Sequence, residues 1–288
     1  MARWNDEYWT SRDGLKLHYR DYAGRDDRPP VLCLHGLTRN ARDFEALADR
    51  LAGEWRVIVP DFRGRGLSDR DPVSSRYIPP TYAADMLQLL DELAIPEAVF
   101  IGTSLGGIVT MIVAGFAPLR IAGAVLNDVG PALEKAGIDR IRSYVGNPLV
   151  FADWDDASDK LSARHSEAHP AYGRDEWLGY AKRVAHETGR GVEFDYDMAI
   201  AEPFMTMDEN AAAAVGAWPL LMGLVGKPLL ILRGERSDLF SRETAERMRD
   251  SIPGAELATV PNVGHAPDLG EPEAVAAIDR LLERVLER

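Results

Sequence analysis

Ser104 stands in Gly102-Thr103-Ser104-Leu105-Gly106, between two apolar runs, residues 98–101 and 108–116. A serine alcohol is a weak nucleophile at neutral pH. It becomes reactive beside a base within hydrogen-bond reach, and that base needs a third group to orient it. Between a strand and a helix, G-x-S-x-G describes a sharp turn that lifts the hydroxyl above a parallel sheet, with glycines letting backbone segments pass closely. Without that context the same residues would make an ordinary strand-to-helix turn.

The partners are expected downstream at strand ends, in the chain order serine, acid, histidine. His265 follows the last apolar run, in a loop framed by Gly264 and Pro267, and is the expected base. Asp238 follows the run 229–232 in Arg233-Gly234-Glu235-Arg236-Ser237-Asp238 and is the expected acid. Asp128 competes, because it ends the run directly after the elbow helix; its other reading is a brace for the loop that follows. Glu235 is a weaker third choice. Two N–H donors are needed where an oxyanion develops. They are assigned to the backbone of Leu105 and of Leu37, in His35-Gly36-Leu37-Thr38. His35 is expected to hold that loop by a hydrogen bond rather than to react.

Other constellations carry less chemistry. Asp61-Phe62-Arg63-Gly64-Arg65-Gly66 lacks the Gly-Lys-Ser/Thr ending of a phosphate-binding loop and reads as a turn braced by Asp61 and Arg63. His165 and His169 lie four apart but lack the H-E-x-x-H pattern, and Pro170 follows them. No metal site and no cofactor are expected.

These residues need elements to position them. Residues 8–22 read as a hairpin turning at Asp13-Gly14, with Leu15, Leu17 and Tyr19 alternating against Lys16, His18 and Arg20. Strands are expected at 31–34, 57–59, 99–101, 122–126, 228–232 and 257–260, several of them continuously apolar, as in strands covered on both faces. Helical spacing lies between them. One helix places Tyr82, Met86, Leu89, Leu90 and Leu93 on a face behind Thr81 as cap, and another begins near Pro272. The pattern is α/β with a mostly parallel central sheet flanked by helices. It breaks at 131–225, which reads as a helical cap inserted into a core formed by 1–130 and 226–288. Residues 211–214 mark one of its helices. Of its large side chains, including Trp177, Phe194, Tyr196 and Met207, most should form the cap's own core. Trp154, Trp218 and Met205 are the candidates for touching substrate.

Composition narrows the function. Among 288 residues there are 33 basic and 46 acidic ones, a net charge of −13 that argues against nucleic acid or anionic membrane as partner. The lone cysteine, Cys33, lies in an apolar strand and cannot form an internal disulfide. Residues 1–13 have no apolar signal core, so a cytoplasmic location is expected. Residues 98–119 are uncharged and long enough to span a bilayer, but their glycines and the elbow fit a buried strand and helix better.

The chain resembles the α/β-hydrolase superfamily. The matching pieces are His35-Gly36, Asp61-Phe62-Arg63-Gly64-Arg65-Gly66-Leu67-Ser68, Gly102-Thr103-Ser104-Leu105-Gly106-Gly107, the Asp238 loop and Gly264-His265-Ala266-Pro267. Within it, the chain is similar to small capped carboxylesterases and enol-lactone or acyl-lactone hydrolases. That resemblance implies hydrolysis of a small ester or lactone by a Ser-His-Asp triad. Dehalogenases and epoxide hydrolases of this fold use aspartate at the elbow, which Ser104 does not match. Carbon–carbon bond hydrolases and cofactor-free haloperoxidases share the serine triad and remain alternatives. A ligand receptor built on the same scaffold is the alternative of another class.

Overall fold

The apolar runs without alternation become the inner strands of one twisted sheet. The computed structural model describes residues 3–206 and 217–288. In chain order the strands are β1 (Asn5–Thr10), β2 (Lys16–Tyr22), β3 (Val31–Leu34), β4 (Val57–Pro60), β5 (Ala98–Thr103), β6 (Ile121–Asn127), β7 (Val150–Phe151), β8 (Ala185–Thr188), β9 (Gly191–Phe194), β10 (Leu229–Gly234) and β11 (Glu256–Val260). Eight of them form the main sheet in the order β1-β2-β4-β3-β5-β6-β10-β11. β1, β2 and β4 pair antiparallel, and every pairing from β4 to β11 is parallel.

Both faces of the parallel strands are covered, which is why their sequences do not alternate. On β5, Ala98 and Phe100 pack into one hydrophobic cluster with Leu89, Leu90, Val109 and Val113 of the helices Pro79–Glu92 and Leu105–Phe116. Val99 and Ile101 point the other way, into a cluster with Leu47, Ile278 and Leu281 of the helices Glu45–Leu51 and Pro272–Leu286. Cys33 lies in this second cluster, fully buried, and burial pushes its thiol well above its ordinary pKa. The apolar stretch from residue 98 divides into β5 and the helix after it, and among the described residues no helix is long and apolar enough to cross a membrane.

Two expectations need correction, and one polar side chain of the expected hairpin is buried. That side chain is His18. β2 lies between β1 and β4, so its ring is 1% exposed, with Nδ1 2.7 Å from Asp61 and Nε2 2.9 Å from Asp6. Thr81 is not a cap: the helix begins two residues earlier, where Pro79 and Pro80 occupy first-turn positions whose N–H groups would have no partner anyway. The segment after β6 is not purely helical. β7, β9 and β8 form a small antiparallel sheet beside the helices Trp154–His165 and Arg174–Val184, with Phe151 against Phe194 at its centre. Met207 and residues 211–214 lie outside the described residues.

The expected brace at Asp61 and Arg63 is present. Asp61 accepts from Ala41 N at 2.6 Å and Leu67 N at 3.0 Å as well as facing His18. Arg63 is 2% exposed and donates to Asp85, Asp71 and Asp13 at 2.6–3.1 Å. Removing the buried cation would leave these carboxylates facing one another, with only the half-exposed Arg76 still near Asp13 and Asp71. Arg63→Met is therefore expected to destabilise the protein by about 3–5 kcal/mol, seen as a lower urea midpoint with unchanged slope. A midpoint within error of wild type would show the cluster to be dispensable.

Candidate active site

The turn after β5 has the geometry that its sequence suggests. Ser104 has φ 51° and ψ −113°, a strained left-handed conformation for a residue with a side chain. Its N–H is fixed to the Asn127 carbonyl at 3.0 Å. The close approach needs glycine where backbone meets backbone. A Cβ on Gly102 would lie 2.4 Å from the Gly106 carbonyl oxygen, and one on Gly106 would lie 2.0 Å from that of Leu34.

His265, in the loop after β11, bridges two oxygens. Its Nε2 is 2.9 Å from Ser104 Oγ and its Nδ1 is 2.8 Å from Asp128 Oδ2. The acid in contact is thus Asp128, not Asp238. Asp128 directly follows β6 with φ 55°, which turns its side chain beneath the end of β10. There it is 0% exposed and also accepts from Gly234 N at 2.8 Å and Ser237 Oγ at 2.6 Å. Asp238 ends up 35% exposed in its side chain and is engaged by Arg140, with Nε–Oδ2 2.5 Å and Nη2–Oδ1 2.8 Å. That guanidinium holds its carboxyl below the usual carboxylate range, against the opposing effect of burial. Glu235 accepts from Asn262 N at 2.8 Å and has no contact with His265. The two strands are adjacent in the sheet, but Asp128 comes right after β6 whereas Asp238 lies four residues beyond the end of β10, and it is the turn right after β6 that reaches the imidazole.

The loop after β3 approaches the serine from the other side. A Cβ on Gly36 would be 3.8 Å from Ser104 Cβ. His35 holds this loop as expected: its Nε2 accepts from Phe62 N at 3.0 Å, and its Nδ1 lies 2.8 Å from the Gly36 carbonyl oxygen. Leu37 lines the cavity above Ser104, and the Leu105 N–H opens the elbow helix. Outside that helix, neither amide has an acceptor among the described residues. Asn127 ties the elbow to the histidine loop, donating from Nδ2 to Thr103 Oγ1 at 3.0 Å and to the Pro267 carbonyl at 2.9 Å.

The cavity encloses about 120 Å³. Its floor is Ser104, His265 and the β3 loop, and its far wall comes from the segment after β6: Arg140, Tyr144, His165, His169, Tyr180 and Tyr196. That segment is anchored to both loops, by Gly264 N to the Ala168 carbonyl at 2.7 Å and by Asn40 Nδ2 to the Arg183 carbonyl at 2.8 Å. Trp154, Trp218 and Met205 are not in the wall. Trp154 bonds Glu187 at 2.6 Å, Trp218 lies under the Arg247 guanidinium at 4.0 Å, and Met205 is exposed. Large size does not put a side chain in the wall, where polar aromatics and histidines stand beside Ile141, Leu161, Val184 and Phe194. The four-residue spacing of His165 and His169 is the signal visible in the sequence, and in the structure it brings both rings to the cavity. No group of three or more metal-ligating side chains occurs among the described residues.

Comparison with known proteins places this arrangement. Residues 31–278 match the alpha/beta hydrolase family. The chain belongs to that family. This α/β-hydrolase is 32% identical to the 3-hydroxybutyrate-oligomer hydrolase of Cupriavidus necator over 266 residues, covering 91% of this chain and 90% of the relative. It is 29% identical to the 2-(acetamidomethylene)succinate hydrolase of Mesorhizobium japonicum, covering 85% and 84% of the two chains. A crystal structure of an alpha/beta hydrolase from Novosphingobium aromaticivorans superposes with a TM-score of 0.94 at 52% identity, covering 99% of each chain.

Three histidines of this α/β-hydrolase are held neutral. Burial lowers His35 to about 4, and it lowers His165 to about 3 and His169 to about 4 with help from the charge of Arg39. The unfolded chain would take up these protons near the ordinary value, whereas the folded one resists. Stability should therefore fall as the pH drops from about 6.5 toward 4, by roughly 3 kcal/mol for His35 alone. Urea unfolding at pH 7 and pH 4.5 reads this loss, which should shrink in His35→Gln. Equal midpoints at the two pH values would contradict it.

Proposed function

We propose that the protein cleaves ester bonds in short hydroxy-acid oligomers, or in a closely related small ester or lactone, through an acyl-enzyme. The observation that carries this reading is the position of His265, within hydrogen-bond distance of Ser104 Oγ and of buried Asp128 at once. The ester preference draws on the relative named for 3-hydroxybutyrate oligomers.

In the proposed cycle, Nδ1–H of His265 donates to Asp128, which leaves Nε2 as acceptor for the serine proton. Ser104 Oγ bonds to the ester carbonyl carbon while its proton passes to Nε2. The carbonyl electron pair moves onto oxygen, where the Leu37 and Leu105 N–H groups stabilise it. Collapse breaks the bond to the alkoxy oxygen, which leaves with the proton from Nε2. Water then repeats the sequence on the acyl-enzyme: His265 takes its proton, its hydroxyl bonds to the carbonyl carbon, and the proton returns to Ser104 Oγ. Asp128 keeps the imidazole in the required tautomer and balances its transient charge. Residues 131–225 act as the cap, limiting the water around the developing charge and strengthening each of these interactions.

Turnover of 3-hydroxybutyrate dimer, p-nitrophenyl acetate and butyrate, and a simple lactone by the wild type and three variants tests this. Ser104→Ala should lower kcat on the order of a millionfold. Asp128→Asn should lower it by roughly ten-thousandfold, as loss of the carboxylate leaves the wrong tautomer. Asp238→Asn should have a far smaller effect. Near-normal turnover by Ser104→Ala would refute the nucleophile, and a larger loss in Asp238→Asn than in Asp128→Asn would return the acid role to Asp238.

A further inference from the structure

The charges around the cavity do not balance. Arg39, next to the oxyanion loop, is tied through Nε and Nη2 to Asp43 at 2.6 Å each, with its guanidinium 4.3 Å from the centroid of the Tyr180 ring. Its third nitrogen, Nη1, has no acceptor among the described residues. Arg140 is engaged by Asp238. Arg183 lies 3.4 Å from Asp268 and 3.8 Å from Asp43. Arg164 also lines the cavity, with its guanidinium 5.8 Å from the Tyr144 ring and no carboxylate within ion-pair distance among the described residues. Among the side chains that line the cavity itself, three guanidinium groups, Arg39, Arg140 and Arg164, thus meet two carboxylates, Asp43 and Asp268, in a chain whose net charge is −13. The depressed His165 and His169 respond to the same positive field, with Arg39 the largest influence on each after burial.

A local cationic excess above a nucleophile, on an otherwise acidic molecule, needs an anion. We propose that the cavity receives a substrate with a free carboxylate, bound by Arg39 Nη1 and Arg164, while the ester carbonyl lies over Ser104. This deepens the ester-hydrolase reading and rests on it. A guanidinium edge suits a carboxylate because the hydrogen bonds are charge-assisted and directional. The neutral imidazoles of His165 and His169 add polarity without adding to the charge. The cavity, about 120 Å³, places this cationic side beside Ser104 and His265 in one continuous lining. An anchored terminal carboxylate fixes the distance to the bond that is cut. Oligoesters would then be shortened one unit at a time from the carboxylate end.

The test compares the linear 3-hydroxybutyrate dimer as free acid with the same dimer capped as its methyl ester. The wild type should favour the free acid by roughly ten- to hundredfold in kcat/KM, and added salt should narrow the ratio. Arg39→Gln should bring the ratio close to one. Arg164→Gln, at an exposed helical position, should reduce it severalfold and serves if the first variant fails to fold. A second arm uses calorimetry of 3-hydroxybutyrate and its methyl ester on Ser104→Ala, where only the acid should bind, and more weakly when Arg164→Gln is added. Equal use of both dimers by the wild type, or anion binding indifferent to both arginines, would overturn the proposal. If neither dimer is turned over while the acid still binds, the ester reading fails and the anion site stands.

Discussion

One imidazole must touch two oxygens carried by two different strands, and much of the architecture follows from that demand. His265 spans from Ser104 Oγ to Asp128 Oδ2 with bonds of 2.9 and 2.8 Å. Hydrogen bonds weaken steeply beyond this range, so the ends of β5 and β6 and the loop after β11 must converge closely. Adjacent parallel strands supply the spacing. Left-handed backbone at both Ser104 and Asp128 aims the two side chains at the gap between them. Glycine at 102 and 106 lets the elbow helix press against its own strand and against Leu34.

The floor of the site is held by a second layer of buried polar groups. Asp61 fastens β2, the start of the helical turn after the β3 loop and its own glycine-rich loop through His18, Ala41 and Leu67. His35 pins the oxyanion loop to Phe62, and Arg63 gathers three carboxylates beneath. Each group is satisfied, and so the cost of burial is offset. The result is a rigid platform under amides that would have to meet a developing charge without moving. Preset donors are most effective when they need no reorganisation.

Above the floor, the chemistry changes character. The segment between β6 and β10 contributes arginine, tyrosine and histidine to the cavity rather than a purely apolar wall. Its own hydrophobic core, around Phe151, Leu161, Val192 and Phe194, runs up to that wall, where Leu161 and Phe194 also line the cavity. Polar and apolar wall residues come from the same elements. On the helix Trp154–His165, Ala157 and Ser158 are buried, while Arg164 and His165 at its end reach the cavity.

Much of the fold was legible because local pattern and tertiary role coincide there. The continuous apolar runs became the parallel strands, and the spacing of Tyr82, Met86, Leu89 and Leu90 became a buried helix face. Ser104 and His265 were readable for the same reason: a strained turn needs its glycines, and a loop after the last strand has one place to go. The choice of acid was not local. Asp128 and Asp238 both follow strands that are neighbours in the sheet, and nothing in their flanking residues says which one the imidazole meets. That depended on a backbone turn at Asp128 and on Arg140, brought from far along the chain to engage Asp238. The cavity wall was likewise a tertiary outcome. Side-chain size pointed to Trp154, Trp218 and Met205, whereas orientation decides what faces a cavity, and orientation is set by packing between distant elements. The sequence by itself determined the strands, the elbow and the base; only the tertiary structure could choose among equivalent carboxylates and turn arginines toward the serine, because those contacts join residues that no local pattern relates.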